Sequence, residues 1–484
     1  MSKFKRCTSK LILSYTVLLS SFGLPAYANH QVIPEKSVEV AKPLERTPEL
    51  PDTNNSSPEQ ITVSEQQLRQ DKSLTEYLLN QAIETGNISL IQYLLPIYRQ
   101  FSHFDTILVT FAEAQLAKKQ QRYDDAIRLY RDILAIRPEL TPVRIQLAIS
   151  LFTIQQDNAA REQFEKALSD QALPQDIALL IQQYQQALKN RNRWQISFSA
   201  SYLRETNVNN ASSDHYIENT PFKKNPSMLP QKANGVNYAL DLTRDFNLSG
   251  SHYLHIENNL YGKSYWDNHD FDEITNRLYL GYTYKTERQR VALLPFYEQQ
   301  WYSNHRYKRT VGGRAEFNRW LNPNWQISTA LEYGRNFYAE NPNLNGTSKL
   351  ASGTLLWRPT PRYFFYTGID YIQERTAIRR YGYDLTTVRL GWGQEWLWGI
   401  SSRISLSVSK RQYKDNFSLG SVFHFDKKRE DEIYQLNVTA WKRDWHIFGI
   451  TPKLHYRWKK QRSNFSTLHS YSDKSITFLF EKAF

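Results

Sequence analysis

Three groups of residues in this chain are of types that do chemistry, and each is weak on its spacing. The run Asp267-Asn268-His269-Asp270-Phe271-Asp272-Glu273 could hold calcium through its carboxylates. It lacks the turn glycine of an EF-hand, and reads better as a solvated loop. His252 and His255 invite a metal, but odd spacing on a strand sends them to opposite faces. Gly391-Trp392-Gly393 reads as small residues inside a strand rather than a cofactor loop. There is no nucleophile elbow, phosphate-binding glycine loop or helical His-Glu-x-x-His. No catalytic residue, cofactor or metal is therefore expected. What remains is charge placed at the polar positions of alternating segments: Arg277, Arg314, Arg389 and Arg403, partly offset by Glu316 and Glu332. If those segments close on themselves, the four guanidinium groups line the interior, where they either guide cargo or tie the wall together through carboxylates.

The chain that must position them has 484 residues, enough for at least two domains. It holds 31 Tyr, 24 Phe and 12 Trp, yet no uninterrupted apolar run of about 18 to 20 residues follows the amino terminus. A helical membrane span is excluded, whereas aromatic richness with low hydropathy suits strands that alternate between lipid and an aqueous interior. The formal charge of +13 falls to +9 once Lys3, Lys5, Arg6 and Lys10 depart with a leader. No basic stripe accompanies that balance, so nucleic acid is not an expected partner. Residues 1–28 read as a secretory signal, with a basic start, an apolar stretch from Leu11 to Leu24 and the small-residue site Ala26-Tyr27-Ala28. Cys7, the only cysteine, lies inside it, so the exported chain has no disulfide chemistry. Residues 29–60, with Pro34, Pro43, Pro48, Pro51 and Pro58, read as a flexible linker.

Residues 61–190 carry helical periodicity, with segments expected at 73–85, 87–101, 104–119, 123–136, 142–155, 158–168 and 174–190. A self-match at 34 residues pairs Ala114 with Ala148, Ala126 with Ala160, Tyr130 with Phe164 and Ile133 with Ala167. That is the tetratricopeptide period. Phe111 to Pro138 resembles the consensus almost throughout: Ala114 where two helices touch, Tyr123 and Ala126 opening the second helix, Tyr130 as its ring and Pro138 as its stop. Such arrays present a concave face to peptides or proteins.

From Trp194 the period becomes 2 and stays so to residue 484. Fourteen strands are expected, approximately 194–204, 234–246, 251–261, 273–285, 289–301, 308–320, 324–336, 348–358, 362–377, 383–396, 399–413, 430–443, 450–462 and 475–484. Apolar outward and polar inward positions invert a soluble barrel, so this is an antiparallel transmembrane β-barrel. Short connections at 247–250, 286–288, 321–323, 359–361 and 397–398 alternate with long ones at 205–233, 262–272, 337–347, 414–429 and 463–474, as periplasmic turns alternate with outer loops. Trp194, Trp320, Trp325, Trp357, Trp396, Trp398 and Trp445 fall near the short turns, where an inner aromatic girdle is expected. At the carboxyl terminus Ile476, Phe478, Phe480 and Phe484 share one parity. This resembles the signal by which outer-membrane barrels are recognised for insertion, with Lys482 departing from it.

Signal peptide, tetratricopeptide helices and a barrel of about this size, in this order, resemble the surface lipoprotein assembly modifiers, the Slam proteins of type XI secretion. The resemblance implies an outer-membrane translocon that exports client lipoproteins or soluble haem-scavenging proteins, with no catalytic residue to carry over. The partners expected are a client, periplasmic chaperones, the barrel-assembly machinery and outer-membrane lipid, and the chain is expected to be a monomer with its helical domain in the periplasm. A polysaccharide exporter would carry a longer helical array, and a passive porin has no use for a recognition module. Deleting Phe484, or replacing it by Asp, is expected to reduce the heat-modifiable barrel band in outer-membrane fractions; unchanged assembly would remove the terminal signal.

Overall fold

The computed structural model describes residues 64–218, 220–420, 423–445 and 448–483. The signal peptide, the proline-rich linker and Phe484 lie outside them.

The helical part runs α1 (Glu65–Gln70), α2 (Lys72–Glu84), α3 (Ile88–Tyr98), α4 (Thr106–Lys119), α5 (Tyr123–Ile136), α6 (Thr141–Thr153), α7 (Asp157–Leu168) and α8 (Gln175–Arg191). Its repeat is written in the turns as well as the helices. Gly86, Gln121 and Gln155 each adopt positive φ just after a helix, at 65°, 60° and 64°. The next residue then closes the helix end, with Asn87 N–H donating to Ala82 O, Arg122 N–H to Ala117 O and Gln156 N–H to Leu151 O at 2.8, 2.9 and 2.9 Å. These are the longer bonds of Schellman caps, and each reverses the chain into a helix hairpin. Only the first uses glycine; the two glutamines accept the left-handed conformation at a cost of about 1 kcal/mol or more.

Every position of the 34-residue self-match is buried: Ala114, Ala126, Tyr130, Ala148, Ala160, Phe164 and Ala167 are fully enclosed, and Ile133 nearly so. The alanines let hairpin helices approach, and the rings fill the spaces between. Tyr130 meets Phe111 with ring centroids 5.7 Å apart, and Phe164 stacks on Tyr184 at 5.1 Å. Tyr123 packs at the edge of the same core, while Pro138 follows α5 and cannot extend it. Helix α1 begins two turns before the expected start. Its signal was present as a capping box, in which Ser64 and Gln67 exchange side-chain bonds with each other's backbone.

Three residues separate α8 from the barrel, whose strands are β1 (Gln195–Glu205), β2 (Ala233–Ser249), β3 (His252–Tyr265), β4 (Glu273–Lys285), β5 (Gln289–Tyr302), β6 (His305–Trp320), β7 (Trp325–Tyr338), β8 (Gly346–Thr360), β9 (Tyr363–Thr376), β10 (Tyr383–Glu395), β11 (Ile400–Leu419), β12 (Phe423–Lys442), β13 (Thr451–Ser463) and β14 (Tyr471–Ala483). Each pairs antiparallel with its sequence neighbours and β14 returns to β1, closing the ladder. The lipid-facing parity is apolar, with Leu278, Leu280, Leu331, Tyr333, Val388, Leu406, Ile476 and Phe478 all exposed. Closed backbone pairing under an apolar exterior is the architecture of an outer-membrane barrel.

Two expectations are corrected. Residues 414–429 are not one irregular loop: β11 continues to Leu419 and β12 begins at Phe423, paired with each other across register shifts on either side of Asn416. Trp320 does not join the girdle. It shares the inward parity of Arg314, Glu316 and Asn318, is 6% exposed, and takes the Arg358 guanidinium 5.2 Å over its ring. Trp194, Trp357, Trp396, Trp398 and Trp445 are exposed near the periplasmic turns, and Trp325 stacks on Trp357 at 5.7 Å.

A fragment covering 64–192 contains all of the helical core and is expected to melt cooperatively, with a helical circular dichroism spectrum. In that fragment Tyr130→Ala should cost about 3–5 kcal/mol, as truncation of enclosed rings does. A disordered spectrum for the parent fragment would show that the helices need the barrel to fold.

Candidate functional site

The site is the barrel interior together with its closing seam. On the wall from β4 to β7 the inward charges bond to one another. Arg277 Nε donates to Glu298 at 2.7 Å, and its Nη1 reaches Glu332 on β7 at 3.2 Å, crossing the space inside β5 and β6. Arg314 joins the same Glu332 at 3.2 Å and Glu316 at 2.7 Å, while Lys308 lies 3.5 Å from Glu298. Tyr279 and Phe296 pack beside Arg277, the latter ring 4.6 Å beneath its guanidinium. A single cation pinned between two buried carboxylates is costly to disturb, because removing either partner strands charge away from water.

Arg389 makes a two-pronged bond to Asp370 at 2.6 and 2.9 Å and touches Thr354 at 3.0 Å. Arg403 lies 5.2 Å over Trp441. The four sequence-selected arginines thus share the interior but not one cluster: Arg277 and Arg314 meet through Glu332, and Arg389 and Arg403 sit farther round the wall. Between them, Gly391 and Gly393 leave room for inward rings, since a Cβ on either would stand 2.0 Å from Tyr366 and 2.3 Å from Phe364.

The seam differs from every other strand pair. The register of β1 with β14 spans five partners, Ser197 with Ala483 to Ser201 with Leu479. On their other edges β1 pairs with β2 over eleven positions and β14 with β13 over eleven. Strand β14 is longer than the sequence indicated, so brevity is not the cause; it is offset against β1. Residues 202–205 and 475–478 pair with β2 and β13 on their other edges but share no register pair across the outer half of the seam. Side chains close that half from within. Glu205 accepts from Lys263 at 2.9 Å and from the Tyr265 hydroxyl at 2.7 Å, and Arg457 lies 3.5 Å from Glu205 and 3.0 Å from Asp473. Above them the connection 206–232 leans across: Thr206 donates to Asp473 at 3.5 Å, Lys224 donates to Thr467 O, and Glu218 accepts from the Thr467 hydroxyl at 3.0 Å. Its Ile217 and Met228 pack with Leu419, Phe465 and Leu468. Burial pushes the Lys224 ammonium below its ordinary value, against the pull of Asp214 and Glu218.

None of Glu205, Lys263, Arg457 or Asp473 was selected from sequence. Each is a charge on a polar-parity position, but only the closing stagger brings them together.

The helices attach at the periplasmic turns. The Tyr253 hydroxyl donates to Gln155 O at 2.5 Å, Ser251 to Ile154 O at 3.3 Å, Gln155 Nε2 to Thr286 O at 3.3 Å and Asn158 Nδ2 to Asn247 O at 3.3 Å. Behind this contact Asp157 binds Arg191 at 2.9 Å, and the guanidinium lies 3.8 Å over Phe152. Burial raises the Asp157 carboxyl above its usual range, opposed by Arg191.

The remaining sequence candidates are engaged locally. His252 meets Tyr282 on the lipid face, and His255 lies between Asp245 at 2.7 Å and Glu257 at 3.2 Å on the interior face. In the acidic loop Asp272 accepts from Tyr265 N–H at 2.6 Å and contacts His269 at 2.9 Å, while Asp267 accepts from Asn234 N–H at 2.7 Å. The backbone and side-chain amides of Asn234 hold the Asp267 carboxyl below its ordinary value. No group of three potential metal ligands occurs among the described residues. Phe478 and Phe480 face lipid, 62% and 48% exposed.

Comparison with known proteins agrees with this arrangement. Residues 61–164 match the amino-terminal TPR repeats of the surface lipoprotein assembly modifiers. A surface lipoprotein assembly modifier of Pasteurella multocida is 34% identical over 97% of this chain and 94% of its own length, and surface lipoprotein assembly modifier 1 of Haemophilus influenzae is 32% identical over 94% of each. The hemophilin secretion modulator of Acinetobacter baumannii is 25% identical over 81% of this chain and 82% of its own. With residues 194–484 matching the surface lipoprotein assembly modifier domain itself, the chain belongs to that family.

Proposed function

We propose that this chain is an outer-membrane translocon that delivers specific client proteins, surface lipoproteins or soluble secreted proteins, to the cell exterior, and performs no chemistry on them. The observation that carries the reading is the mounting of a repeat-built helical domain on the inner turns of a barrel whose inward charges bridge one another between strands. A passive pore is poorly served by a wall in which Arg277 bridges Glu298 and Glu332 across the space inside β5 and β6. It has no use for a recognition module bolted to its mouth. A polymer exporter is disfavoured by the brevity of the array, in which three hairpins are flanked by α1 and α8 among the described residues. The two relatives' names span both cargo types, since one kind assembles surface lipoproteins and another modulates secretion of hemophilin. In this reading the helical domain receives the client or a periplasmic chaperone that carries it, the barrel-assembly machinery inserts the chain through its terminal strand, and a monomer suffices.

The test is a strain lacking this chain, compared with its parent by surface labelling and by analysis of the medium. One or a few proteins should disappear from the exterior and accumulate inside, and should return when the gene is restored. A helix-deleted form that assembles its barrel should fail to restore them. If the exterior protein set is unchanged while small-solute uptake falls, the chain is a porin.

A further inference from the structure

The outer half of the seam is the least explained part of the molecule. A strand edge facing lipid without a partner is unfavourable, because each unpaired N–H and C=O there lacks water to bond. Closing the gap would need only continuation of a register already begun at Ser201 and Leu479. Instead the register stops there, and the two strands are joined from within by Arg457, which reaches Glu205 on one side and Asp473 on the other. The pins are side chains, which can exchange partners without breaking any ladder. The flanking pairs β1–β2 and β13–β14 run through the same levels unbroken, so the gap is confined to this edge. Lipid-facing Ile476 is 69% exposed beside it.

We infer that the edges of β1 over 202–205 and of β14 over 475–478, which no register pair joins, are a docking site for an extended segment of the exported polypeptide, which adds as a strand between them. Strand addition suits the edges chemically: backbone bonds supply affinity without demanding a sequence, so varied cargo segments fit, while alternate side chains fall to lumen and lipid. In the unloaded barrel the Glu205–Arg457–Asp473 bridge and the 206–232 connection hold the place that the segment takes. This rests on the export reading above, and concerns where in the barrel export occurs.

The probe is the protein lost from the exterior of the deletion strain, carrying single cysteines along its length; the barrel has none after Cys7. Barrel variants Ile476→Cys at the seam, Ser407→Cys on the inner face of β11 and Leu406→Cys on its lipid face are compared by disulfide capture during export. A strand seated in the seam should enrich adducts at Ile476→Cys about tenfold over Leu406→Cys, since docking holds the thiols at high effective concentration. Adducts at Ser407→Cys with none at Ile476→Cys would place the path in the lumen and overturn the inference. As a second arm, Leu203→Cys with Thr477→Cys should zip the gap when oxidised, stop export, and release it on reduction, whereas a lock between Ile404→Cys and Val438→Cys, register partners in β11 and β12, should leave export intact. Export through the oxidised seam would also overturn it. If deletion of the chain removes no protein from the exterior, it is the export reading that fails.

Discussion

Lipid offers no hydrogen bonds, and that one deprivation governs this chain from Gln195 onward. Every backbone group of the wall must find its partner in a neighbouring strand, so the sheet has to close, its strand number has to be even for both ends to lie in the periplasm, and polar side chains are confined to one parity. The same demand makes the last closure the most expensive to leave incomplete. It is met by five register pairs between β1 and β14 and, above them, by Glu205, Arg457 and Asp473 bonding where backbone does not.

How legible this was depends on the range over which each feature is encoded. Strand identity and facing are local: the alternation of Leu278, Leu280 and Tyr282 against Arg277, Gly281 and Thr283 is visible in seven residues, and the structure keeps it. The helical repeat is also local, and its matched pairs are the enclosed ones. Helix α1 was missed though its capping box was present, because six residues offer little periodicity to see. Charges crowd the ends of β11 and β12 and hide their strand character, because outside the membrane a ladder needs no apolar face. Trp320 misled because nearness to a turn says nothing about parity.

The site was legible only in its parts. Inward arginines could be named from alternation, but not their partners: Arg277 finds Glu332 three strands away, and this depends on barrel curvature rather than spacing. The seam cluster draws on β1, β3, β13 and β14, and its assembly follows from the stagger of closure, a quantity that belongs to the whole barrel and to no segment. Likewise the contacts of Gln155 with Tyr253 and Thr286 join positions about a hundred residues or more apart.

Gln155 shows what the mounting of the helical domain implies. A domain joined to another by a single covalent hinge can swivel about it. Here there are two attachments: the chain passes from Arg191 into β1 at Gln195, and the hairpin turn at 154–158 is bonded to the turns below β2 to β5. The two anchors are tied to each other by Arg191, which bonds Phe152 O and Asp157 at 2.9 Å, so the superhelix behaves as a bracket with its arm clamped at one end. One clamp is the root of β1, the strand that borders the seam. Any load borne by the arm is therefore delivered as torque to the strand whose outer end is least restrained.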